Sequence, residues 1–205
     1  MSSSLSVYRL DTTAARALIG SRDDQLLELI HTRFADDLAR ADDEHAYEIE
    51  QGAPTAEQAL RAVIHSGPFS ENQNHTFQYG YAYKRLCSLT GVFLPNDCFT
   101  PHRGDWLAVV DQGLETLGIT AVSVEAFSQK SPPHPLPYTW TPGCAEWTPA
   151  SITQALEQFD ATKRAADGSG QAPPLESEVV DAVQQCIGWM RQAHASGQGV
   201  IGFRS

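Results

Sequence analysis

Long apolar runs are missing from this 205-residue chain. None approaches the roughly 18–20 residues that a bilayer-crossing helix needs, so no transmembrane helix and no membrane partner are expected. The N-terminal Met-Ser-Ser-Ser carries neither the basic nor the apolar part of a secretory leader. Cysteine is sparse: Cys87, Cys98, Cys144 and Cys186 lie far apart and form no C-x-x-C pair. That spacing offers no disulfide framework and points to reduced, buried or inert thiols in the cytoplasm.

Basic charge is also scarce. Lys and Arg number 14 against 25 Asp and Glu, giving a net charge of −11 and a pI near 4.9. The basic residues are scattered, so the clustered positive face of a nucleic-acid binder is absent and no nucleic-acid partner is expected.

Catalytic and metal-binding signatures are missing as well. The seven histidines, at positions 31, 45, 65, 75, 102, 134 and 194, show no H-E-x-x-H or other ligand spacing. Cys98-x-x-x-His102 is the only close Cys/His pair, and zinc takes three or four ligands. A Cys98 nucleophile activated by His102 would need an oxyanion site that sequence does not display. With no phosphate-cradling glycine loop, no G-x-S-x-G elbow and no S-x-x-K, the expectation is a protein without metal or cofactor, leaning away from an enzyme.

What is there describes a folded protein with long loops. Hydrophobic residues make up 41% and charged residues 19%, and the length suits one domain over 1–205. Leu5–Leu10 alternates like a strand, followed by a short helix that Asp11 can cap. Ser21 with Asp24, and Thr55 with Gln58, read as capping boxes for the next helices. The densest charge run is acidic: Asp36-Asp37, then Asp42-Asp43-Glu44, Glu48 and Glu50. A solvated helix face is the plain reading, and a docking surface for a basic protein partner is the functional one.

Further along, Asp105 can cap a helix through Leu117, Ile119–Val124 alternates as a strand, and residues 131–142 form a proline-rich loop. Thr148-Pro149 marks a helix start. Residues 167–174 read as a flexible Gly/Ser/Pro linker before a helix over Glu176–Ser196 and a terminal strand over Val200–Phe203.

The segment from His75 to Gly91 holds half of the six tyrosines. Helical spacing puts Tyr79, Tyr83, Leu86 and Cys87 on one buried stripe, with Gly91 as a left-handed cap. His75, Tyr81 and Arg85 are left for outward work, and Gly80 allows a neighbour to approach closely.

Together, the opening strand and helix, the aromatic helix closing in Leu89-Thr90-Gly91, the Thr148-Pro149-Ala150-Ser151 start and the helix-Gly-strand ending resemble the YfbM-like family of small bacterial proteins. The resemblance implies an α/β domain in which a small mixed sheet, including both terminal strands, is covered by several helices. It also implies that binding, as in immunity proteins of toxin systems, is the working activity.

The expected function is therefore a cytoplasmic, non-enzymatic, immunity- or antitoxin-like binding protein. Its acidic residues Asp42, Asp43 and Glu44 would engage a basic protein partner. The alternative is an enzyme or small-ligand binder with a pocket between the aromatic helix 75–91 and the loops 95–105 and 131–142, using His75, Tyr81, Arg85, Asp97, His102 and Trp140.

Overall fold

A computed structural model describes residues 2–169 and 175–205. In chain order the elements are β1 (Leu5–Leu10), α1 (Thr12–Ala17), α2 (Asp24–Arg33), α3 (Ala35–Glu44), α4 (Ala46–Glu50), α5 (Ala56–His65) and α6 (Phe77–Thr90). There follow β2 (Val92–Phe93), α7 (Trp106–Thr116), α8 (Ala126–Gln129), β3 (Gly143–Trp147), α9 (Pro149–Ser169), α10 (Ser177–Ala195) and β4 (Gly199–Arg204). They form two compact units, one of Met1–Thr12, Gly91–Lys130 and Cys144–Ser205, the other of Thr13–Thr90 and Ser131–Gly143.

The first unit is built on a four-stranded sheet in the order β2-β1-β4-β3. β1 and β4 pair antiparallel from Leu5↔Arg204 to Leu10↔Gly199, and β1 pairs antiparallel with β2. The α/β class and the small sheet that includes both terminal strands are thus as expected, with antiparallel pairing where a mixed sheet was anticipated. α10 supplies the main apolar stripe through Val179, Ala182, Val183, Cys186, Ile187 and Met190, all buried, at the i, i+3, i+4, i+7 spacing of one helix face.

Four aromatic rings run through this core. Phe99 lies 5.0 Å from Trp189, Trp189 lies 6.1 Å from Trp147, and Trp147 stacks on Phe127 at 5.1 Å. Buried indole N–H groups need acceptors. Trp189 donates to the Pro95 carbonyl at 2.6 Å and Trp147 to the Ser123 carbonyl at 2.9 Å.

The strand expected over Ile119–Val124 is instead an irregular segment. Side chains take the backbone donors that a neighbouring strand would have bonded. Gln158 Oε1 accepts from the N–H groups of Thr120 and Ala121, at 3.0 and 3.1 Å. The Asp111 carboxylate accepts from the N–H groups of Val124 and Glu125, at 2.6 and 3.1 Å. Ile119, Val122 and Val124 are nonetheless buried, which accounts for the alternation in the sequence. The linker read at 167–174 overlaps the end of α9 at residues 167–169, and the rest of it lies outside the described residues.

The second unit is helical. α5 begins with the expected capping box between Thr55 and Gln58. α2 is capped by Asp23, which accepts from the Leu26 N–H at 3.0 Å, and not by Ser21. α6 buries Tyr79, Tyr83, Leu86 and Cys87. Gly91 takes no left-handed conformation. In the last turns two hydroxyls bond back to carbonyls of their own helix, Thr90 Oγ1 to Leu86 O at 3.1 Å and Ser88 Oγ to Arg85 O at 2.8 Å.

Gly80 does admit a close neighbour. A Cβ there would sit 2.8 Å from Pro142 Cδ and 3.3 Å from Thr139 Oγ1. The irregular loop 131–142 is further tied down by Thr76 Oγ1, which donates to the Tyr138 carbonyl at 2.8 Å.

In β4, a Cβ at Gly202 would lie 2.5 Å from the Phe127 ring. Gly202→Ala is expected to destabilise the protein by about 1–3 kcal/mol through overpacking, read as a lower urea midpoint. An unchanged midpoint would contradict this packing.

Candidate functional site

In the first unit, a cavity of about 350 Å³ is lined by Cys98, Pro101, His102, Arg103, Trp106, Glu178 and Asp181. Short-range fastening fixes its wall. Asn96 Nδ2 donates to the Leu5 carbonyl, and Thr100 Oγ1 both donates to Leu5 O and accepts from Leu5 N–H, each at 3.0 Å. His102 exchanges two backbone hydrogen bonds of 2.9 Å with Ser3. Residues 96–102 are therefore held to the start of β1 although they contain only one helical turn, Asp97–Phe99.

The side chains at the cavity are similarly set. Trp106 Nε1–H donates to the Cys98 carbonyl at 2.8 Å, and the Cys98 N–H donates to Gln185 Oε1 of α10 at 3.2 Å. His102 is only 6% exposed. Its Nδ1 lies 2.7 Å from the Phe99 carbonyl, which can only accept, so Nδ1 carries the proton and donates. In the neutral ring Nε2 is then an acceptor. It is shielded from solvent and has no partner among the described residues.

Charge at this wall is unbalanced. Arg103, Glu178 and Asp181 are exposed and form no ion pair among the described residues. Burial pushes the half-buried Cys98 thiol up, and the negative charges of Asp181 and Asp97 push it further. A thiol kept protonated is a poor nucleophile, so the Cys98/His102 pair does not have the electrostatics of an activated thiolate. A second cavity, of about 380 Å³ beside α7, includes Asp111, whose carboxylate is already committed to residues 123–125.

In the second unit the acidic run becomes α3 and α4. Asp42 faces inward in function: its carboxylate accepts from the Ala56 N–H at 2.7 Å and caps α5. Asp37 pairs with Arg40 at 3.4 Å, and Glu48 lies 3.9 Å from His45. Asp36, Asp43, Glu44 and Glu50 are exposed and form no ion pair among the described residues. Between them Tyr47 stands 71% exposed.

The tyrosine helix contributes less to the outside than its composition suggests. Tyr81 is half-buried, with its ring 6.0 Å from His45 and 6.4 Å from Phe77. Burial pushes its hydroxyl up, Glu44 adds to the shift, and Arg85 opposes it. Burial lowers the Arg85 guanidinium while Asp37 and Asp42 oppose the shift. Tyr81, Arg85, Asp42 and Glu44 thus share one electrostatic neighbourhood.

The family described as Domain of unknown function (DUF7691) matches residues 1–205. The chain belongs to that family. No curated protein and no solved structure matches it. Nothing in this match bears on the YfbM-like resemblance.

The residues singled out from sequence divide between the units. His75, Tyr81, Arg85, Trp140, Asp42, Asp43 and Glu44 lie in the second unit, Asp97 and His102 in the first. His75 is half-buried, 3.1 Å from Asn72 Nδ2 through its Nε2. Trp140 is 74% exposed and meets Tyr138 edge to face at 5.3 Å. Beside the aromatic helix, where a concavity was anticipated, loop 131–142 packs directly onto Gly80. Asp97 is exposed and acts on Cys98.

Missed from sequence were Arg103, Trp106, Glu178, Asp181 and Tyr47. The i, i+3 spacing of Glu178 and Asp181 was a readable sign of a shared helix face. The approach of that face to residues 98–106 was not.

Cys98 is half-buried while Cys87, Cys144 and Cys186 are buried. Alkylation of the native protein should therefore be confined to Cys98. Because its thiol is pushed up, the rate should rise only above the ordinary thiol range, about pH 8.5, and Asp181→Asn should move the inflection down. An inflection at or below neutrality would contradict this electrostatic picture.

Proposed function

We propose that this protein is a cytoplasmic, non-enzymatic binding protein that docks a basic protein partner on the α3–α4 surface of the second unit. The observation that carries the reading is Tyr47, 71% exposed and flanked in the chain by the exposed carboxylates of Asp43, Glu44 and Glu50, which form no ion pair among the described residues. Exposed aromatics set in charged surroundings are the usual anchors of protein interfaces, since a rigid ring buries large area at little entropic cost. The carboxylates around it steer an oppositely charged partner and set the salt dependence of association.

Supporting facts are consistent in sign. The net charge is −11, and no disulfide joins the four cysteines among the described residues. No helix among the described residues is long and apolar enough to cross a membrane. An immunity or antitoxin-like role, with a basic toxin as partner, is the form of binding that the YfbM-like resemblance suggests.

The test is affinity capture of a partner from native cells, followed by measurement of its Kd across salt. The affinity should fall as salt rises, and Tyr47→Ala should weaken it about tenfold or more without lowering thermal stability, because the ring is exposed. A captured partner whose affinity ignores both salt and Tyr47→Ala would defeat the proposal.

A further inference from the structure

We propose that the cavity of the first unit is a binding site for an organic cation, an ammonium or guanidinium head received by the carboxylates of Glu178 and Asp181 beside the Trp106 indole. This site is separate from the α3–α4 surface and stands on different residues.

Four observations carry it. The volume, about 350 Å³, falls within the range of small-ligand sites, roughly 300–1,000 Å³. The charged lining is two carboxylates against one guanidinium, and neither carboxylate is spent on an ion pair among the described residues. The negative charge of Asp181 is felt at the wall, where it holds the Cys98 thiol up after burial has done the larger part. Finally, His102 lines the cavity with a nearly buried ring that the 2.7 Å contact of its Nδ1 with the Phe99 carbonyl holds in place.

A structural explanation covers part of the pattern and stops short of the rest. Glu178 lies in the first turn of α10, where a carboxylate offsets the positive end of the helix dipole. Asp181 lies beyond that turn, where the dipole's influence has fallen away, and it caps no helix among the described residues. On the helix the two acids share one face, while Val179, Ala182 and Val183 turn to the core.

Trp106 supplies the aromatic surface on which ammonium and guanidinium groups are attracted. Its orientation is set beforehand by the 2.8 Å bond from its indole N–H to the Cys98 carbonyl, so little ordering remains to be done on binding. Two carboxylates and an indole suit an organic cation better than a divalent metal, which takes six or more oxygen ligands or near-ideal octahedral geometry. Among the described residues, no group of three or more His, Cys, Asp and Glu could hold a metal ion.

The chemistry can come from a free small molecule or from a lysine or arginine side chain of another protein. Calorimetric titration of the full chain with agmatine, and separately with N-acetyl-arginine amide, separates the two. Saturable binding of agmatine, with Kd on the order of 1 mM or tighter, is the result expected for a free cation. Preference for the blocked arginine indicates a presented side chain, and either result supports a cation site.

The double variant Glu178→Gln/Asp181→Asn should lose about tenfold or more in affinity. Its exposed positions leave the fold intact, as the unchanged far-UV spectrum should show. Tyr47→Ala should leave cation binding unchanged, so failure here and failure of the α3–α4 docking surface are distinguishable. Absence of saturable binding by both probes, or binding that the double variant does not weaken, overturns the proposal.

Discussion

The first unit depends on where its tryptophans put their indole protons. A buried indole must find an acceptor, and the acceptors used are carbonyls of irregular chain. Trp189 holds Pro95, Trp147 holds Ser123 and Trp106 holds Cys98. Because Trp189 and Trp147 also belong to the ring series from Phe99 to Phe127, core packing and loop position are one constraint. Segments with no ladder of their own are thereby tied to the core beside the sheet.

That constraint explains why a polar cavity persists at residues 98–106. The wall is fastened to β1 by Asn96 and Thr100, to α10 by Gln185 and to its own chain by Trp106. A loop so held can keep His102 Nε2 unpartnered and two carboxylates unpaired without collapsing onto them. The second unit handles charge differently. There Asp42 and Asp37 are absorbed into capping and local pairing, and the exposed acids left over lie before and after Tyr47 in the chain. Unspent charge, more than total charge, distinguishes both surfaces.

Much of the fold was legible because the elements are periodic and punctuated. The Thr55/Gln58 box, the Thr148-Pro149 start and the stripe of α10 are local signals, and local geometry followed them. The aromatic helix was readable for the same reason. Ile119–Val124 was misread because burial produces alternation whether the backbone partners are a strand or the side chains of Asp111 and Gln158. β3 left no distinct trace: a five-residue strand between a proline loop and a helix carries too little pattern. The site was less legible still. His102 and Asp97 were visible as unusual residues on an irregular segment, but the acids of α10 join them only through tertiary approach.

Three indole protons are held and one is free. Trp106, Trp147 and Trp189 donate to carbonyls, while Trp140 is 74% exposed and makes no indole hydrogen bond among the described residues. Hydrogen exchange of the four indole N–H groups, followed by ¹⁵N NMR with each signal assigned by substitution, tests this directly. Trp140 should exchange fast, and the other three should be protected, with Trp147 and Trp189 slowest. Exchange of Trp106 or Trp189 as fast as that of Trp140 would contradict the anchoring on which the cavity depends.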